Sequence, residues 1–181
     1  MSRIKEKIIS NFDYSKKNYL KESKSKHWNY NNSKKTNLFI SKNLVNFRNN
    51  GLSYGMDDQF YKKKQALFLM KDLINSCGEK FVTRLLEKKN IGNPKKFYRY
   101  KNFYYTAHEL FLIKFLKELD SNINLNKAKA ICEIGPGYGA LVSKILKKTK
   151  AKIILIDLPE ANFLSHYFLS TLFPKKKIFV S

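Results

Sequence analysis

The stretch ICEIGPGYGAL at 131–141 limits the fold more than any other part of this chain. A short apolar run enters Gly-x-Gly-x-Gly and leaves as a helical pattern, which commits the backbone to strand, tight turn and helix. Only glycine takes up left-handed φ freely and lets another molecule approach bare main chain. The surroundings continue the alternation. A buried strand is predicted over 130–134, the turn over Gly135 to Gly139 and a helix over 140–148. A second apolar strand follows over 152–157. Pro159 suits the first turn of a further helix through Ala161, Leu164, Phe168 and Leu172, Pro174 stops it, and 177–180 reads as a third strand. Strand, helix, strand, helix, strand is the pattern of a parallel α/β sheet with right-handed crossovers.

Upstream the pattern differs. Residues 1–55 form a basic segment rich in Lys, Asn and Ser, with aromatic residues scattered singly. Residues 56–120 read as helical. Asp57 and Asp58 open a helix that Cys77-Gly78 closes. A short helix near 79–89 ends at the IGNP of 91–94, because Pro94 cannot continue it. Aromatic residues at 97–105 form a connector. Thr106-x-x-Glu109 has the form of a capping box opening a helix to about Leu119, with Phe111, Leu112, Phe115, Leu116 and Leu119 as its packing stripe.

A parallel sheet needs both faces covered and usually more than three strands. Residues 128–181 are therefore read as the first half of a cofactor-binding domain, cut off inside the sheet. No stretch approaches the ~20 apolar residues of a membrane span, and the start, MSRIKEKIIS, lacks the apolar core of a secretion signal. A cytoplasmic location is expected. Cys77 and Cys132 cannot build a disulfide framework and stand at no metal-binding spacing, so no metal is expected.

The net charge of +22 raises the question of nucleic acid. Its distribution argues against a dedicated surface, because successive thirds of the chain carry +7, +8 and +7. Only four of the 36 basic residues are Arg, the residue suited to bidentate phosphate and base recognition. Lys, Asn, Ile, Phe and Tyr supply 90 of 181 residues, the signature of AT-rich codons. Lys147, Lys148, Lys150, Lys152 and Lys175 to Lys177 could nonetheless draw in an anionic substrate at low salt.

Gly135-Pro136-Gly137-Tyr138-Gly139-Ala140 also satisfies the permissive dinucleotide pattern, so the glycines alone leave NAD open. The neighbouring acids favour another ligand. Glu133 would repel a pyrophosphate but welcome an amino acid ammonium. Asp157 ends the second strand, where it can accept from ribose hydroxyls. An acid before the loop and another after the next strand suit S-adenosylmethionine better than NAD.

EIGPGYG followed by LIDLPE resembles the first motif and second-strand acid of the Rossmann-like S-adenosylmethionine-dependent methyltransferases. IGNP at 91–94, the helix from Thr106, DLPE at 157–160 and HYFLSTLFP at 166–174 are similar, more narrowly, to a sugar O-methyltransferase family of bacterial surface-polysaccharide clusters. The resemblance covers about 91–181. It implies that Glu133, Gly135, Pro136, Gly137, Tyr138, Gly139, Asp157 and Leu158 surround S-adenosylmethionine. It also implies a sugar or glycan-precursor acceptor and a cytoplasmic enzyme of polysaccharide biosynthesis.

EIGPGYGALVSKIL also resembles the ribosomal RNA adenine dimethyltransferases. That family places the loop near its N-terminus and follows its second strand with a different acidic pattern. An NAD-dependent oxidoreductase and a basic binding module with a vestigial loop are the remaining readings. Catalysis is assigned to none of His27, His108 and His166, and the base is expected beyond residue 181.

Overall fold

The computed structural model describes residues 43–49 and 62–175. Within them lie five α-helices and two small sheets, a mixed α/β arrangement. The elements are α1 (Lys63–Cys77), α2 (Glu79–Leu85), β1 (Tyr98–Tyr100), β2 (Phe103–Tyr105), α3 (Ala107–Ile123), β3 (Ala130–Ile134), α4 (Ala140–Lys148), β4 (Lys152–Ile156) and α5 (Pro159–Leu172). Of the expected basic segment 1–55, residues 1–42 and 50–55 lie outside the described residues, as do Asp57, Asp58 and the third strand at 177–180.

The last third follows the alternation in the sequence. β3 and β4 pair in parallel from Ala130 opposite Lys152 to Ile134 opposite Ile156, and the Gly135 N–H donates to the Ile156 carbonyl at 2.8 Å. Along each strand burial alternates with the period of two that a strand imposes. Ile131, Ile153 and Leu155 pack toward the helices. On the opposite face Ile134, Ile154 and Ile156 are exposed, so helices from the described residues cover only one side.

The expected capping box is present. The Thr106 side chain accepts the Glu109 N–H at 3.3 Å, and Glu109 Oε2 accepts the Thr106 N–H at 2.9 Å. The stripe along α3 is rotated from the expected one. Ala107, Leu110, Ile113 and Leu116 are buried, whereas Phe111 and Phe115 are exposed. Glu109, fixed inward by its cap and by buried cations, sets the orientation of the helix.

Three further expectations are corrected. α1 begins at Lys63, where the Gln65 side chain accepts the Lys62 N–H at 2.8 Å, rather than at Asp57. α2 stops at Leu85, before IGNP, because Glu87 leaves the helix to bridge Tyr104 in β2. The aromatic connector is a hairpin, β1 against β2, turned by Lys101 at φ 52°. Within 62–120, the described part of the expected helical region 56–120, the chain is thus helical with an inserted hairpin.

Between α3 and α4 runs a chain of buried charges. Lys144, fully buried, lies 2.8 Å from Glu87 Oε1 and 3.6 Å from Glu109 Oε1. Arg48 Nη1 is 3.6 Å from the same Glu109 oxygen. Burial alone would raise the Glu109 carboxyl, but Lys144, Arg48 and the Thr106 N–H outweigh it and hold the carboxyl below its ordinary value.

Candidate functional site

The glycine turn leaves β3 at the carboxyl edge of the parallel pair, where ligands of open α/β sheets bind. Gly135, Gly137 and Gly139 all have positive φ, at 74°, 58° and 84°. Their surroundings separate their roles. A Cβ at Gly135 would meet nothing within 4 Å, so that position faces open space. A Cβ at Gly139 would stand 3.3 Å from Leu169 and 3.4 Å from Ser165. Gly139 therefore lets α5 pack closely against the start of α4, a contact inside the fold.

The glycine N–H groups are all used within the protein. Gly135 donates to the Ile156 carbonyl, Gly139 donates to the Pro136 carbonyl at 2.9 Å, and Gly137 donates to Asp157 Oδ2 at 2.9 Å. Phosphate recognition by such a loop depends on main-chain donors aimed at the anion. None of these three is left for a pyrophosphate.

Asp157 also accepts the Leu158 N–H on Oδ1 at 2.7 Å. Its carboxylate is therefore the brace between the end of β4 and the turn after β3. The side-chain amide of Asn162 donates to the Asp157 carbonyl at 3.2 Å, which secures the same corner from α5.

Glu133 sits opposite Leu155 in the register, and Asp157 lies two residues beyond Leu155. The two acids thus share one face of the sheet. Burial and the charge of Asp157 push the Glu133 carboxyl up to about 7. Burial raises Asp157 as well; its two main-chain hydrogen bonds oppose this, and Glu160 adds to it. Glu133 Oε2 is buried without a hydrogen-bond partner, and so is Asn162 Oδ1. Unsatisfied buried oxygens are costly and call for a ligand or another account. Two raised carboxylates, one with an unpartnered buried oxygen, favour a cation and disfavour a second anion.

One residue expected around the cofactor has its side chain in the core. Tyr138 is fully buried, its ring set edge-on to Phe47 at 5.4 Å and to Phe168 at 5.1 Å, with the Arg48 guanidinium 5.2 Å from its centre. Its side chain anchors the loop to Phe47 and Arg48, which follow the short 3-10 turn Asn43–Asn46, and to α5. Pro136 is buried too. Leu158 is half-buried at the N-cap of α5 and contributes its N–H to the Asp157 brace.

The sequence reading missed Asn162, whose only signal is its place five residues after the strand-ending acid. It also missed Arg48, which donates to the Ile91 carbonyl at 3.5 Å and to Thr106 Oγ1 at 3.3 Å and so ties IGNP to the loop's support. His166 is buried in α5, and His108 lies in the first turn of α3. Among the described residues, no group of His, Cys, Asp and Glu could hold a metal ion, and no helix is long and apolar enough to cross a membrane. No family model, curated protein or solved structure matches this chain.

Proposed function

We propose that this chain carries the cofactor-binding site of an S-adenosylmethionine-dependent methyltransferase. The observation that carries the reading is Glu133 Oε2, a buried acceptor without a partner beside a glycine turn. The ligand needs a cationic group for Glu133, a body that fits over the open position at Gly135 and hydrogen-bond donors for the corner at Asp157 and Asn162. The amino acid ammonium and the nucleoside of S-adenosylmethionine supply all three. NAD suits the site less well, because its pyrophosphate would find the glycine N–H groups taken and two raised carboxylates nearby.

When bound, S-adenosylmethionine supplies an already activated methyl group. What the protein adds is alignment of donor and acceptor. Glu133 orients the methionine end. Asp157 keeps the turn in shape and has acceptor capacity left for a ribose hydroxyl. Tyr138, locked between Phe47 and Phe168, prevents the turn from collapsing into the open space.

For the acceptor we propose the hydroxyl of a sugar or glycan precursor. This rests on the motif resemblance over 91–181 and on the even spread of positive charge, which favours no nucleic-acid face. Equilibrium dialysis with labelled S-adenosylmethionine and, separately, labelled NAD tests the cofactor. Retention of NAD alone would replace the reading with a dehydrogenase. A salt-steep affinity for ribosomal RNA would move the acceptor to nucleic acid.

A further inference from the structure

At the far end of α4 from the glycine turn lies a groove of about 710 Å³, between the end of α2, the hairpin and the end of α5. Phe103, Leu172 and Pro174 form apolar parts of its wall, and Lys80, Arg84, Lys88 and Lys89 stand around it. All four cations are exposed, and none has a carboxylate partner among the described residues.

The acid in the groove is already neutralised. Glu87 Oε1 is held by Lys144 at 2.8 Å, and Oε2 by Lys147 at 2.7 Å. Lys147 also donates to the Leu86 carbonyl at 2.6 Å and to the Leu85 carbonyl at 3.3 Å, which answers the negative end of α2. The buried chain of Arg48, Glu109, Lys144, Glu87 and Lys147 holds three cations against two carboxylates. Burial, with Lys144 beside it, holds the Lys147 ammonium below the ordinary lysine value.

We infer that this groove is a binding site for a phosphorylated small molecule, separate from the glycine-turn site. Phosphate oxygens meet the exposed cations that stand around the groove. The organic body of the ester lies against Phe103, Leu172 and Pro174. The volume falls in the range of small-molecule pockets and accommodates a nucleotide-sized ligand. This inference does not rest on the methyltransferase reading, since the groove and the turn lie at opposite ends of α4.

The test is calorimetric titration of the whole chain with inorganic pyrophosphate and with ADP in 50 mM salt. Three proteins are compared: the unaltered chain, Arg84→Gln/Lys88→Gln, and Lys114→Gln/Lys117→Gln as a charge-matched control on exposed α3 positions. Binding of both probes is expected, with ADP at least threefold tighter than pyrophosphate. The groove variant should weaken both at least fivefold and the control less than twofold, with circular dichroism unchanged. Equal losses in the two variants would reduce the site to the general field of a basic protein and overturn the inference. So would absent binding, equal affinity for the two probes, displacement of ADP by adenosine, or a short single-stranded RNA that binds the groove more tightly than ADP.

Discussion

Asp157 Oδ2 accepts the Gly137 N–H at 2.9 Å, so the acid that ends β4 holds the turn that follows β3. The second strand thereby sets the shape of the first strand's loop. Removing the carboxylate acts on the loop before it acts on any ligand. Asp157→Ala leaves the Gly137 and Leu158 N–H groups without their acceptor and should cost about 1–3 kcal/mol of stability. S-adenosylmethionine affinity should fall in the same variant. Urea melts paired with dialysis check both, and a variant that loses ligand at full stability would give Asp157 a purely ligand-directed role.

The raised carboxyl of Glu133 has a definite sign for stability. Between the ordinary glutamate value and about 7 the folded state holds a proton that the unfolded state has lost. Stability contributed by this group is therefore present at low pH and declines as pH rises through that window. Glu133→Gln removes the penalty, so the variant should be the more stable protein at pH 8 and near parity at pH 4.5. Thermal melts across pH 4.5–8 measure this; a variant less stable than the parent at pH 8 would mean that the carboxylate braces the fold.

The glycines separate fold from site. Ala at either 135 or 139 must adopt left-handed φ, at roughly 1–2 kcal/mol. At Gly139 the added Cβ also presses on Leu169 and Ser165, so Gly139→Ala should be the less stable of the two. Gly135→Ala meets no protein atom and should keep most of its stability while losing ligand affinity. Denaturant midpoints and dialysis on the two variants give the comparison. Equal stability would remove the packing role assigned to Gly139.

Lys144 is fully buried between Glu87 and Glu109. Lys144→Met keeps the approximate length but leaves two buried carboxylates short of a partner, a loss of about 3–5 kcal/mol. The deficit should shrink in acid as the abandoned carboxylates take up protons. Denaturant titrations at pH 5 and pH 8 read the difference, and a loss below 1 kcal/mol at pH 8 would show that Arg48 and Lys147 suffice.

The βαβα core was legible because its signals are local: apolar runs of five residues, positive-φ glycines and a proline at a helix start. The capping box of α3 was legible for the same reason. The face that α3 buries was not, because Phe111 and Phe115 outweigh Glu109 in any hydrophobic count. Glu109 turns inward only because Arg48 and Lys144, 61 and 35 residues away in the chain, meet it there. The hairpin escaped for a related reason. Its turn, Lys101-Asn102, lacks the glycine that marks such turns, and Glu87 supplies the bridge that fixes it. Within the site, the carboxylates at 133 and 157 were readable from spacing. That Tyr138 belongs to the core and that Gly139 serves α5 required the packing.

Calorimetric titration of S-adenosylmethionine into the parent chain and into Glu133→Gln at pH 8 tests the account most directly. The parent should bind, and the variant should bind more weakly by about 1.5–3 kcal/mol, roughly ten- to hundredfold, the range for a hydrogen bond to a charged group. Equal affinity in the two proteins, or binding of NAD in place of S-adenosylmethionine, would contradict it.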